Sequence, residues 1–309
     1  MPDSALPLNG RVVLVTGAGR GLGRCHALAC ARLGAKVVVN DYGGSRDGVG
    51  ASSAPAEQVV EEILDSGGEA VAHGGNVSDP DDAGSMVELA LRSFGALHCL
   101  VNNAGILRDK TLLKMTIDDW NAVVDVHLKG TFVMTQAAGR YWRRCAKEGE
   151  PVAARIVNTT SGSGLFGNFG QANYSSAKGG IASLTILSAI ELAQYGVTAN
   201  AIAPVAKTRL ISGDGSIPDL NDGFDPFDPA NVSPLVCWLA SEQSGEVTGQ
   251  IFSVSGGFVS VVEGYNRGPE MQRDRRLTFD DIDAELPGLV HKARVRTTAM
   301  ESHPYTKFT

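Results

Sequence analysis

The chain has 309 residues, of which 43% are hydrophobic, and a formal net charge of −7. This length suits one large α/β domain, and the acidic balance argues against nucleic acid or an anionic membrane surface as a partner. No apolar run is long enough to span a bilayer, and the N-terminus lacks a secretory pattern. The five cysteines form no CxxC motif, so we expect free, mostly packed thiols in a cytoplasmic protein.

Short apolar runs alternate with helical patterns along most of the chain. Strands are predicted over residues 11–16, 36–40, 70–73, 97–101, 154–159, 197–202 and 249–254. Helices are predicted over residues 22–33, 57–66, 81–94, 117–141, 174–195 and 232–241. Seven strands alternating with six helices indicate a doubly wound parallel sheet, a Rossmann fold. We expect one domain over residues 9–262 and a C-terminal extension over 263–309, with a short helix over 279–289.

A glycine-rich run, TGAGRGLG, follows the first predicted strand. Glycines let the backbone approach a pyrophosphate, and the next helix offers free N–H groups and the positive end of its dipole. Alone this is weak evidence, because glycine-rich turns are common in α/β proteins. The candidate cofactor-binding residues in this run are Gly17, Gly19, Arg20, Gly21, Leu22 and Gly23.

Asp41 follows the second predicted strand, 18 residues after Gly23. A carboxylate at this place accepts hydrogen bonds from the adenosine ribose and repels a 2′-phosphate. Arg20 acts in the opposite direction, since a guanidinium can pair with that phosphate, unless it is an ordinary surface arginine. The sequence therefore favours NAD over NADP, and it suggests no metal site.

Tyr174 and Lys178 lie four residues apart on a predicted helix, so their side chains share one face. A neighbouring ammonium and a cationic nicotinamide ring both favour the tyrosine phenolate, lowering a pKa that is normally about 10. Ser161, 13 residues before Tyr174, follows a strand and can hold a substrate oxygen. A turn serine and a solvated lysine are the alternative interpretations. Together with the glycine-rich turn, the three residues indicate a nicotinamide-dependent dehydrogenase.

Two further turns follow strands at the same predicted edge of the sheet. The residues Asn103, Ala104 and Gly105 of the NNAG run can line the cofactor ribose. The turn after Pro204 can fix the nicotinamide carboxamide through its backbone and the Thr208 hydroxyl.

The runs TGAGRGLG, NNAG and YSSAK, with Ser161 and the turn after Pro204, resemble the short-chain dehydrogenase/reductase family over roughly residues 9–262. The resemblance implies a Rossmann fold and a Ser–Tyr–Lys site that an asparagine usually joins. At the position of that asparagine this chain has His127, which either relays protons or packs in the interior. Asn76, followed by Val77, stands where the family often has an aspartate near adenine. The resemblance places both residues in the cofactor site.

Longer runs, such as VVVNDYGGSRDGVG, NNAGILRD and FGNFGQANYSSAK, are similar to the (3R)-hydroxyacyl-CoA dehydrogenase domain of type 2 peroxisomal multifunctional enzymes. This similarity implies NAD, a 3-hydroxyacyl-CoA or steroid-derived substrate, and a homodimer or homotetramer. Three alternatives stay open: a hydroxysteroid dehydrogenase acting on a free steroid alcohol, an NADPH-dependent 3-oxoacyl reductase, and a non-catalytic dinucleotide-binding protein. Asp41 argues against the second, and the Ser–Tyr–Lys set argues against the third.

Two segments outside the regular alternation are candidates for substrate contact. Residues 210–231 are predicted to form a substrate lid with Phe224 and Phe227 as apolar contacts, although an ordinary surface loop fits the same composition. In the tail, CoA could contact Arg273, Arg275 and Arg276; a solvated or oligomer-covering tail is the alternative.

Overall fold

The computed structural model of the chain describes residues 6–207, 223–264 and 267–293. Its strands form one eight-stranded sheet with the order β3-β2-β1-β4-β5-β6-β7-β8. Strands β1 to β7 pair in parallel, which confirms the predicted doubly wound architecture. The strands are β1 Val12–Thr16, β2 Lys36–Asn40, β3 Glu69–His73, β4 Cys99–Asn102, β5 Ala154–Thr159, β6 Val197–Pro204, β7 Ile251–Ser255 and β8 Phe258–Val261.

Helices cover both faces of the sheet. They are α1 Gly21–Arg32, α2 Ala54–Asp65, α3 Pro80–Phe94, α4 Ile117–Val124, α5 Gly130–Lys147, α6 Gly162–Phe166, α7 Ala172–Leu192, α8 Ser233–Ala240 and α9 Phe279–Lys292. Alternate residues of β1 point to opposite faces: Val13 and Val15 pack under α1, α2 and α8, and Val12 and Leu14 pack under α3, α5 and α7. A strand buried on both faces reads as a continuous apolar run, which explains why the sequence marks these strands clearly.

The structure corrects the predicted elements in two places. An eighth strand, β8, pairs antiparallel with β7, with Ser255 opposite Phe258. The sequence did not mark it, because β8 has four residues and only partial burial. The helix predicted over 117–141 is also interrupted, since the π-helical turn Asp125–Lys129 separates α4 from α5. Helical sequence lies on both sides of this single π turn, so the pattern of apolar residues was read as one continuous helix.

The C-terminal extension contains the predicted helix, which appears as α9. A capping box begins it: the Thr278 hydroxyl accepts the N–H of Asp281, whose carboxylate accepts the N–H of Thr278. Within the described ranges, no helix combines the length and apolar character that crossing a bilayer requires. All five cysteines are free, and four of them are buried.

Buried polar and sulfur groups line the contact between α1 and α8. The imidazole Nδ1 of His26 lies 2.9 Å from the Ser233 hydroxyl, and one turn further on the sulfurs of Cys30 and Cys237 are 3.7 Å apart. His26 is fully buried, and this burial lowers its pKa to about 3. The helix that begins at the glycine-rich turn therefore packs through a neutral imidazole.

This burial predicts acid sensitivity of the fold. In the unfolded chain His26 binds a proton below about pH 6.5, whereas in the folded chain it does so only near pH 3. The free energy of unfolding therefore decreases as the pH falls from about 6.5 toward about 3. We expect His26→Gln to reduce the slope of unfolding free energy against pH between pH 4 and 6 by about 1.4 kcal/mol per pH unit. Urea unfolding across this range measures the slope, with His291→Gln on the exposed α9 as control. Equal slopes for the wild type and His26→Gln would contradict the prediction.

Candidate active site

The predicted glycine-rich and NNAG turns meet where β1 and β4 end, and Thr16 joins them. Its hydroxyl accepts the backbone N–H groups of Asn103 and Ala104 at 3.0 and 3.1 Å. The Asn103 side-chain amide in turn donates to the backbone oxygens of Thr16 and Gly17 at 3.0 and 3.1 Å. Sequence reasoning missed Thr16. Its position as the last residue of a buried strand, at the edge where the site forms, is the signal that could have identified it. Asn103 therefore holds the two turns together as part of the scaffold.

The glycine-rich turn is shaped to receive an anionic group. A Cβ at Gly17, whose φ is +61°, would lie 2.6 Å from the Cα of Ala104, and one at Gly23 would lie 2.2 Å from the Gly17 oxygen. No side chain caps the start of α1 and its first turn carries no acidic residue, so its N–H groups are available to an anion. Gly21 and Leu22 lie in that first turn, and the exposed Arg20 precedes it. These residues fit a dinucleotide pyrophosphate.

Asp41 lies against this turn. One of its carboxylate oxygens accepts the N–H of Gly19 at 2.8 Å, and the other accepts the N–H of Gly43 at 2.7 Å. A Cβ on Gly19 would lie 2.8 Å from the same carboxylate, so only glycine permits this approach. The carboxylate is therefore held beside the glycine-rich turn, as recognition of a ribose requires.

Asn76 and Val77 follow β3 at the same edge of the sheet. The side-chain amide oxygen of Asn76 accepts the Ser78 N–H and hydroxyl, both at 3.0 Å, so it shapes the turn before α3. Val77 is 5% exposed and packs against Gly130 at the start of α5. Contact of either residue with adenine stays a prediction.

Helix α7 brings Tyr174 and Lys178 together beside Ser161. The Ser161 side chain lies within interaction range of the Tyr174 hydroxyl, and the Ser161 hydroxyl accepts the Ser163 N–H at 3.2 Å at the start of α6. The Lys178 ammonium lies 5.7 Å from the centre of the Tyr174 ring and donates to the backbone oxygen of Thr159 at 2.6 Å. Lys178 is buried, whereas Tyr174 and Ser161 remain partly exposed. A substrate oxygen can therefore reach the two hydroxyls but not the lysine.

The electrostatics of this trio differ from the sequence-based expectation. Burial raises the pKa of Tyr174; the hydrogen bond from Ser161 lowers it, and the charge of Asp109 raises it. Lys178 was expected to favour the phenolate. Burial instead lowers the pKa of Lys178 to about 7, so near neutral pH the lysine is only partly charged. Its influence on Tyr174 is correspondingly weak.

His127 lies on the π turn and enters the same site. Its ring meets the Tyr174 ring edge-on, with 5.2 Å between the ring centres. Its Nε2 lies 2.8 Å from the oxygen and 3.1 Å from the nitrogen of Ile106, and its buried Nδ1 has no hydrogen-bond partner among the described residues. Burial first, and then the charge of Lys178, lower the pKa of His127, so the imidazole is neutral. A Cβ at Gly105 would lie 2.3 Å from the imidazole, so Gly105 makes room for it.

Asn173 and Thr160, which sequence reasoning missed, fix the first turns of α7. The Asn173 amide donates to the backbone oxygens of Arg108 and Asp119, each at 3.0 Å, and its carbonyl accepts the Tyr174 N–H at 2.7 Å. The Thr160 hydroxyl donates to the Lys178 oxygen at 2.7 Å. An asparagine at a helix start signals a local cap, but its partners more than 50 residues away in sequence leave no local signal.

The turn after β6 is described only in part. Pro204 ends the strand, and the Val205 N–H donates to the Val254 oxygen at 3.0 Å. Thr208 lies outside the described residues, as do residues 210–222 of the predicted lid. In the described part of the lid, Phe227 is 5% exposed and Phe224 is 62% exposed. Of the two, only Phe224 presents its ring to the surface.

Two of the three tail arginines are paired within the tail. Arg275 donates to the Asp281 carboxylate at 2.6 and 2.9 Å, and Arg273 bonds to Glu285. These pairs offset the charge available to a CoA phosphate.

Comparisons with known proteins agree with this geometry. The family model described as short chain dehydrogenase matches residues 11–210. The chain is 45% identical to hydroxyacyl-CoA dehydrogenase ChsB1 of Mycobacterium tuberculosis over 274 residues, which cover 86% of this chain and 82% of the relative. It is 45% identical to peroxisomal multifunctional enzyme type 2 of Drosophila melanogaster over 254 residues, 82% of this chain and 40% of the relative.

A solved structure shows the same likeness in three dimensions. The crystal structure of a short chain dehydrogenase from Mycobacterium avium superimposes with a TM-score of 0.85 at 46% identity. The match covers 94% of this chain and 98% of that one. The predicted likeness to the multifunctional enzymes is thereby confirmed. The chain belongs to the short-chain dehydrogenase/reductase family, whose members bind NAD(P), and it is an oxidoreductase that acts on CH–OH groups.

Proposed function

We propose that this enzyme uses NAD to oxidise the secondary alcohol of a 3-hydroxyacyl-CoA that carries a fatty or steroid side chain. The observation that carries the proposal is the convergence of three side chains, with Ser161 and the buried Lys178 both lying against Tyr174. The substrate class is supported by the relative named hydroxyacyl-CoA dehydrogenase, with which 86% of the chain aligns.

The reaction removes one hydride and one proton from the alcohol and leaves a ketone. Ser161 holds the substrate oxygen, and Tyr174 accepts the hydroxyl proton as the carbon–oxygen double bond forms. A bound nicotinamide cofactor would supply the acceptor for the hydride. Because Ser161 and Tyr174 interact through their side chains, their hydroxyls converge on the place where a single substrate oxygen would sit.

Lys178 and His127 are proposed to carry away the proton that Tyr174 accepts. With a pKa of about 7, Lys178 gains and loses its proton readily near neutral pH. His127 stays neutral, has one nitrogen bound to the Ile106 backbone and keeps Nδ1 without a partner among the described residues. We assign it as the proton-relaying group at the position that an asparagine occupies in most of the family.

The cofactor is proposed to be NAD, bound along the edge of the sheet from β2 to β6. Gly17, Gly19, Gly21, Leu22 and Gly23 would receive the pyrophosphate, with Arg20 at its margin. Asp41 would bind the ribose at the adenine end, with Asn76 and Val77 nearer the base. Asn103, Ala104, Gly105 and the turn from Pro204 to Thr208 would contact the nicotinamide half, beside Tyr174 and Lys178.

We also propose that the enzyme is a homodimer or homotetramer. Helices α5 and α7 expose Phe132, Ile186, Leu187 and Ile190, with Ile190 71% accessible. Exposed apolar residues on two helices that pack against each other are typical of an interaction surface. The dehydrogenase domain is proposed to span residues 9–262, and the tail 263–309 to be an extension of it.

Turnover of chosen substrates tests the substrate class. We expect NAD-dependent oxidation of 3-hydroxyacyl-CoA thioesters, with the (3R) epimer preferred and kcat/KM well above that of free steroid alcohols. A panel of fatty and steroid-side-chain thioesters, free hydroxysteroids and 3-oxoacyl thioesters, each with NAD(H) and NADP(H), measures this directly. Turnover of free steroids without any thioester would favour a hydroxysteroid dehydrogenase. Reduction of 3-oxoacyl thioesters that depends on NADPH would favour the reductase.

Removal of the Tyr174 hydroxyl tests the proton-accepting group. We expect Tyr174→Phe to lower kcat/KM by about 10²- to 10⁴-fold, the usual effect of losing a general acid–base group, while NADH still binds. Steady-state kinetics and NADH fluorescence titration measure the two effects. Tyr195→Phe, on the 3₁₀ turn Ala193–Tyr195 that follows α7, is the matched control. Full activity of Tyr174→Phe would show that another group accepts the proton.

Charge removal at Asp41 tests the cofactor preference. The wild type should prefer NAD, because a carboxylate beside the ribose repels a 2′-phosphate. We expect Asp41→Asn to raise the kcat/KM ratio of NADP to NAD by about tenfold, equivalent to about 1.4 kcal/mol. The exposed Asp65→Asn at the end of α2 provides a control of equal charge change. A wild type that prefers NADP would refute the role assigned to the carboxylate.

A further inference from the structure

The connection between β2 and α2 folds back on itself into a compact loop, residues 42–53. The Ser52 N–H donates to the Tyr42 oxygen at 2.9 Å, which closes the base of the loop. At the far end, the Ser45 N–H donates to the Val49 oxygen at 2.8 Å, and the Ser45 hydroxyl accepts the Val49 N–H at 3.0 Å. These bonds define a tight turn over residues 45–49, which we call the loop tip.

The loop tip docks on the segment 106–108 that follows the NNAG turn. The backbone oxygen of Arg46 accepts the Leu107 N–H at 3.0 Å, and the Arg108 guanidinium donates to the backbone oxygen of Asp47 at 2.8 Å. Gly48 rests on Ile106, and a Cβ there would lie 2.9 Å from the end of the isoleucine side chain. Two hydrogen bonds and one close apolar contact therefore join parts of the chain about 60 residues apart.

The segment 106–108 in turn holds the groups of the active site. Ile106 provides both backbone contacts of the His127 imidazole, whose ring packs edge-on against Tyr174. The backbone oxygen of Arg108 accepts a hydrogen bond from the side-chain amide of Asn173. The side-chain oxygen of the same amide accepts the Tyr174 N–H. A shift of this segment would therefore move His127 and Tyr174 together.

The base of the loop begins at Asp41. Its carboxylate accepts the N–H of Gly43, the second residue of the loop, as well as that of Gly19 in the glycine-rich turn. A ligand that engages the carboxylate consequently acts on one end of a compact loop, and the other end bears on the segment that supports Tyr174. The path is a continuous series of hydrogen bonds and contacts between described residues.

We propose that the loop tip is a positioning element that couples occupancy of the adenosine site at Asp41 to the placement of Tyr174 and His127. The coupling rests on the proposed function, since it presupposes a dinucleotide whose adenosine half reaches Asp41. By linkage, a ligand that orders the loop must strengthen docking at the tip to the same extent that docking strengthens its binding. The Leu107 N–H, donated to the loop, reports that docking directly.

Two glycines of the loop offer a matched pair of variants. Gly48 and Gly50 both have a positive φ, +86° and +84°, so alanine strains the backbone at both. A Cβ on Gly48 meets Ile106, whereas a Cβ on Gly50 meets nothing within 4 Å. Gly48→Ala must therefore displace the end of the Ile106 side chain under the loop tip, and Gly50→Ala should reproduce only the backbone strain.

Hydrogen exchange of the peptide that contains Leu107 tests the proposal without turnover. We expect ADP-ribose, which lacks the nicotinamide, to slow exchange of this peptide severalfold in the wild type and in Gly50→Ala. In Gly48→Ala we expect faster exchange before ligand is added and little further protection by ADP-ribose. The same exchange in Gly48→Ala and Gly50→Ala, or no effect of ADP-ribose on the wild type, would overturn the coupling.

Kinetics provide the second readout. We expect Gly48→Ala to lower kcat severalfold, because a small shift of Ile106 misplaces His127 and Tyr174, with KM for the acyl substrate little changed. Gly50→Ala should keep kcat close to that of the wild type, and equal kcat values for the two variants would overturn the positioning role. Absence of wild-type turnover on the whole substrate panel would reject the proposed function. The exchange experiment would still decide whether the loop responds to the adenosine half.

Discussion

The hydrogen bonds of Thr16 to the NNAG turn are the constraint on which the site depends. The chain winds outward from β1 through β2 to β3 and then returns to form β4 on the other side of β1. Strand order reverses between β1 and β4, and a doubly wound sheet opens a crevice at this point. Thr16 and Asn103 bridge the ends of the two strands, so the glycine-rich turn and the segment leading to Ile106 have one fixed separation.

Burial sets the chemistry of the groups beside that crevice. The same desolvation raises the pKa of Tyr174 and lowers the pKa values of Lys178 and His127, because each charged form loses hydration. A lysine that titrates near neutral pH is a better proton carrier than a permanently charged one, but a weaker electrostatic partner for a phenolate. Burial therefore suits Lys178 better to exchanging a proton than to stabilising a charged Tyr174.

The sequence was sufficient wherever a local pattern reports the structure. Apolar runs marked seven of the eight strands, since strands buried on both faces have few polar residues. The Tyr174–Lys178 spacing placed both side chains on one helix face, as the structure shows. By contrast, the amide contacts of Asn173 and the docking of residues 45–49 depend on partners distant in sequence. Periodicity and composition contain no record of those partners.

The replacement of an asparagine by His127 has consequences beyond the choice of relay. An imidazole is larger than a carboxamide, and it fits because Gly105 lacks a Cβ and the π turn sets the ring between Ile106 and Tyr174. If Nε2 donates to the Ile106 oxygen, then Nδ1 is an acceptor; if Nε2 accepts from the Ile106 nitrogen, then Nδ1 is a donor. Backbone position at Ile106 thus selects the tautomer. Because the loop tip bears on the neighbouring Leu107 and Arg108, a small displacement there would change which of its two Ile106 contacts His127 Nε2 makes, and with it the tautomer.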